Sequence, residues 1–194
     1  GSSADVSLRI SAQVDRPLTF GLRRPVILLP RPLARTATPD QLAAVLRHEL
    51  THVVRRDART WLLAALTAII LGPHPLLLIL RRRLRLAQEF IADHAAGGAN
   101  RAAYAQTLLE LVQATPARPV PLAAAAWTSR SDLYLRLRRL LDPRPRVVAG
   151  MSFHEDELRA RGEFFGALDG GLDVAGLVAG RDDHGNGAGL GCRP

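Results

Sequence analysis

Residues 38–57 read TPDQLAAVLRHELTHVVRRD, and the rest of the chain is organised around this stretch. Thr38 is a good N-cap, Pro39 suits a first helical turn, and Gln41 stands three residues after the threonine, completing a capping box. Leu42, Val45, Leu46, Leu50 and Val53 recur at helical spacing, so one helix with an apolar face is expected to about Asp57. His48-Glu49-Leu50-Thr51-His52 lies on it. Histidines four apart on a helix differ by about 40° in azimuth and roughly 6 Å along the axis, so both imidazoles can reach one metal ion. Glu49 is placed beside the same spot.

Upstream the period changes. Val6, Leu8, Ile10 and Ala12 alternate with Ser7, Arg9, Ser11 and Gln13, the pattern of a half-buried strand. After a turn at Asp15-Arg16-Pro17, Leu18 to Gly21 and Val26 to Leu29 read as further short strands. Pro25 and Pro30 bracket the latter, which suggests an edge position. Downstream, helices are expected over about Thr60 to Leu71, from the Gly72-Pro73-His74-Pro75 break to Ala96, over Arg101 to Ala114 with Asn100 as cap, and over Ser131 to Leu141. The expected fold is α+β: a mainly helical domain over 1–146 with a small amino-terminal β unit. Beyond it, 11 of the 16 glycines fall after Arg146, so 147–194 reads as a loosely ordered tail, with one short helix near Glu155 to Phe165.

Composition narrows the chemistry. A chain of 194 residues with 47% apolar types can bury a core as one domain. The single cysteine, Cys192, excludes a disulfide framework and a cysteine zinc site, leaving His, Asp and Glu as ligands. All 26 basic residues are arginine; codon bias accounts for that, so the +8 net charge is no argument for nucleic acid. The sole methionine is Met151, so Gly1 is expected to be a processed or excised start, and no signal peptide is seen.

Residues 61–80 carry no charge over about the length that spans a bilayer, yet the Gly-Pro-His-Pro break divides them into two short arms. Arg56 and Arg59 precede the segment and Arg81, Arg82, Arg83 and Arg85 follow it, so both ends can lie on one, cytoplasmic, side. A hairpin dipping into a membrane and a buried core hairpin fit equally.

A catalytic zinc site needs three protein ligands and an open position. Glu89 is the candidate third ligand, and Asp93, four residues on, shares its face, so one can bind metal while the other accepts a hydrogen bond from a ligand imidazole. His74 reads as a turn residue, and His94 lies off that face. His154-Glu155-Asp156-Glu157 and Asp182-Asp183-His184 read as solvated acidic runs. Arg136, Arg138 and Arg139 read as a solvated helix face.

Pro17-Leu18-Thr19-Phe20-Gly21, Arg24 to Pro30, Pro39 to Leu42, His48 to Asp57, His74-Pro75, the Glu89 to Asp93 helix, Arg101-Ala102-Ala103-Tyr104 and Leu137 to Leu141 together resemble the BlaR/MecR-type antirepressor metallopeptidases. The resemblance covers about Val6 to Pro143. It implies a gluzincin-like integral membrane zinc protease with ligands His48, His52 and Glu89, general base Glu49 and a supporting Asp93. It also implies a cytosolic site, a repressor protein as substrate, and transmembrane or sensor segments beyond this chain. Zinc would supply Lewis acidity while Glu49 takes a water proton and passes it to the leaving amine. An extended substrate is expected to add as a strand beside Val26, Ile27 and Leu28, and Tyr104, His94 or an arginine to stabilise the oxyanion. The competing classes are a metal-binding membrane sensor or scaffold without turnover and a nucleic-acid-binding helical module; no direct nucleic-acid partner is expected.

Overall fold

The computed structural model describes residues 6–72, 74–98, 100–114, 130–142 and 189–190. Strands β1 (Val6–Ser11), β2 (Leu18–Phe20) and β3 (Val26–Pro30) lead into helices α1 (Arg31–Thr36), α2 (Pro39–Arg55), α3 (Asp57–Leu71), α4 (Pro75–Gly97), α5 (Arg101–Ala114) and α6 (Arg130–Leu140). A two-residue strand β4 (Gly189–Leu190) pairs with β1. The fold is therefore mainly helical with a small amino-terminal mixed sheet, as expected.

Strand order is β2-β3-β1-β4. β3 runs parallel to β1 and antiparallel to β2, so it is central, and the expected edge position of Val26 to Leu29 is corrected. The flanking prolines do not interrupt the ladder. Pro25 stands before the strand and its carbonyl accepts from the Ser7 amide at 3.0 Å, while Pro30 closes the register opposite Ser11. Val26, Ile27 and Leu28 each pair on both sides, with β1 and with β2. Among the described residues they therefore have no free edge beside which a substrate strand could add.

α2 forms as its sequence dictates. The Thr38 hydroxyl accepts from the Gln41 amide at 3.3 Å and the Gln41 side chain accepts from the Thr38 amide at 2.9 Å. Leu42, Val45, Leu46, Leu50 and Val53 pack on Leu8, Ile27 and Leu29 of the sheet. A second cluster joins Ala44, Ala96, Tyr104, Ala105 and Leu140, docking α5 and α6 on the other side of α2 and α4. Arg56 adopts the left-handed conformation (φ 56°), ending α2 and starting α3 in one residue. That abrupt turn puts the start of α3 at Asp57, three residues ahead of the expected Thr60. α1 was not expected at all; its one and a half turns carry no apolar repeat to read.

Gly72 (φ 68°) ends α3, and the His74 ring caps α4 by accepting from the Leu76 amide at 3.3 Å, the turn role expected of it. The arms on either side are not core. Ile69 and Ile70 are 77% and 80% exposed, and Leu63, Leu71, Leu76 and Leu80 are exposed as well. The arms therefore do not form a buried core hairpin among the described residues. Fifteen residues of α3 rise about 22 Å, short of the roughly 30 Å hydrocarbon core, and no helix among the described residues is long and apolar enough to cross a membrane. The expected helix near Glu155 to Phe165 and the acidic runs around His154 and His184 lie outside the described residues.

Candidate metal centre

His48, Glu49 and His52 come from the last three turns of α2, and Glu89 and Asp93 from α4 beside it. His48 Nε2 stands 3.4 Å from His52 Nε2 and 3.6 Å from Glu89 Oε2. The ligand atoms of His48, His52 and Glu89 lie within 4.8 Å of one another. A tetrahedral site with bonds of about 2.1 Å has ligands about 3.4 Å apart. Two facing imidazole nitrogens and one carboxylate at these separations fit a zinc-like ion.

The outward nitrogens are held by carboxylates. His52 Nδ1 lies 2.7 Å from Asp57 Oδ2. His48 Nδ1 lies 2.9 Å from the Tyr104 hydroxyl and 3.2 Å from Asp93 Oδ1, and the Tyr104 hydroxyl donates to that same oxygen at 2.9 Å. Placing a proton on each Nδ1 satisfies these contacts and turns both Nε2 lone pairs toward the ion. Tyr104 is thus buried behind His48, and His94 is exposed.

Four of these partners were missed in the sequence. Asp57 had a local signal, since it stands at the first turn after the second histidine. Thr19 on β2, which donates to Glu49 Oε2 at 2.7 Å, acts across the fold and had none, and Tyr104 was named for the oxyanion instead of as the partner of His48 and Asp93. Arg136 was read as solvated, yet it is largely buried: Nε and Nη2 donate to the two Asp93 oxygens at 2.7 and 2.6 Å, and Nη1 reaches Glu89 Oε2 at 2.9 Å.

These charges set the protonation of the metal-free site. Burial alone would push His48 down, but hydrogen bonds to Asp93 and Glu89 outweigh it and raise its pKa to about 10. Burial pushes Glu89 and Asp93 up, and is likewise outweighed: His48 and Arg136 hold Glu89 well below the usual carboxylate range, and Arg136 and His48 hold Asp93 below it. Burial and the Asp93 charge push the Tyr104 phenol up, so it stays a donor. A pKa raised from 6.5 to about 10 on folding stabilises the metal-free chain fully below pH 6.5 and loses that contribution as pH rises through 10. Melting in chelator should therefore fall between pH 7 and 10.5 more steeply for wild type than for His48→Gln; equal slopes would reject this assignment.

Compared with protein-family models, residues 1–140 match the family described as BlaR1 peptidase M56. Among curated proteins, the regulatory protein BlaR1 of Bacillus licheniformis is 32% identical over 90 residues, which cover 46% of this chain and 15% of that protein. The chain thus matches only a small part of this longer relative.

Proposed function

Because this chain belongs to the BlaR1 peptidase M56 family, we propose that it is a zinc-dependent endopeptidase in which His48, His52 and Glu89 hold the ion and Glu49 is the general base. The observation that carries this reading is the convergence of three ligand atoms from two helices beside a buried, non-ligating glutamate. When bound, the ion would supply Lewis acidity and lower the pKa of a water toward neutrality. Glu49, oriented by the Thr19 hydroxyl, takes the proton from the attacking water and returns it to the leaving amine. Asp57, Asp93 and Tyr104 keep both imidazoles in the tautomer that presents Nε2.

An extended substrate adds along β2, which among the described residues pairs only with β3 and whose Thr19 touches Glu49. Likeness to a regulatory protein supports a protein substrate such as a transcriptional repressor. One experiment tests chemistry and docking together: zinc content and hydrolysis of a peptide series methylated at successive backbone amides. Wild type should bind one zinc and Glu89→Ala lose it, and methylation should slow cleavage at every second position. Zinc retained by Glu89→Ala would refute the ligand set, and indifference to methylation would refute strand addition.

The exposed Leu and Ile of α3 and early α4, collared by Arg56, Arg59 and Arg81 to Arg85, support a membrane-associated location with the site on the aqueous, cytoplasmic side. Wild type should float with liposomes and Ile69→Asp/Ile70→Asp should not; flotation of both would reject the hairpin as the anchor.

A further inference from the structure

Arg136 spends all three guanidinium nitrogens on two carboxylates: a fork on Asp93 and a third arm on the Glu89 oxygen nearest His48. It arrives from α6, far along the chain, and is seated by Leu140 in the second core cluster, by Leu137 packed against it, and by the Arg139 guanidinium 6.0 Å over the Phe90 ring. Asp93 is 2% exposed, so its charge is out of reach of bulk water. Two carboxylates one helical turn apart in such a place repel, and the fork and third arm of Arg136 set a permanent cation between them.

We propose that Arg136 is a positioning residue that serves as the resident counter-cation of this site, holding and neutralising Glu89 and Asp93 until a metal ion arrives. This rests on the metal-site reading above. An incoming divalent ion neutralises the same charge, so the chain should depend more on the ion when Arg136 is absent. The planar fork cannot be reproduced by the single ammonium of lysine.

The test is thermal melting of the full chain with and without zinc, for wild type, Arg136→Leu, Arg136→Lys and the exposed-residue control Arg138→Leu. Metal-free Arg136→Leu should melt below wild type, yet its zinc-induced rise should exceed that of wild type by about 5 °C or more. Arg136→Lys should recover part of the loss, and Arg138→Leu should match wild type. An equal zinc-induced rise in Arg136→Leu and wild type would mean that the side chain only anchors α6, and would overturn the proposal. Should Arg136→Leu fail to fold, adding Glu89→Gln and Asp93→Asn removes the stranded charges and is expected to restore folding without metal; no restoration overturns the proposal too. Absence of any zinc effect on wild type would sink the metal-site reading instead, and the metal-free triple variant would still judge Arg136.

Discussion

Glu49→Gln should retain stoichiometric zinc and lose peptide hydrolysis by about a thousandfold, the middle of the range for removing a positioned general base. Glu49 is not among the converging ligand atoms, and its carboxylate is held by Thr19 on the sheet side of α2. The glutamine keeps the size and the hydrogen bond but cannot take a proton. Metal analysis beside single-turnover cleavage separates the two effects. Turnover within tenfold of wild type would remove Glu49 from the mechanism, whereas parallel loss of zinc and activity would make it a ligand or a structural residue.

The second large effect is on stability. Asp93→Ala strands a buried guanidinium, frees the Tyr104 hydroxyl and leaves His48 Nδ1 with one partner fewer. Removing one member of a buried, hydrogen-bonded ion pair costs about 3–5 kcal/mol. For a chain of this size that corresponds to a fall in Tm of roughly 6–20 °C. Differential scanning calorimetry of the metal-free protein checks it, and a fall under 2 °C would show that Arg136 finds full compensation in Glu89 alone.

How much of this could be read without coordinates follows from the range of each signal. The α2 cap, its apolar stripe and the paired histidines are local, so sequence spacing alone sufficed for them. Glu89 and Asp93 were legible because both stand on one helix at a shared-face spacing. Arg136 sits among Arg138, Arg139 and alternating leucines, and nothing within α6 distinguishes the buried arginine from the other two. Thr19 reaches Glu49 only after β2 has paired with a central β3. That pairing was obscured by prolines whose missing amides happen to fall at the ends of the ladder, where they cost nothing.

Arg56 couples two ends of the molecule mechanically. Because the chain reverses there within a single left-handed residue, the carboxylate steadying the His52 ring is also the first residue of the helix that carries the exposed isoleucines. Any displacement of that helix along its axis would therefore carry the carboxylate away from the imidazole it steadies.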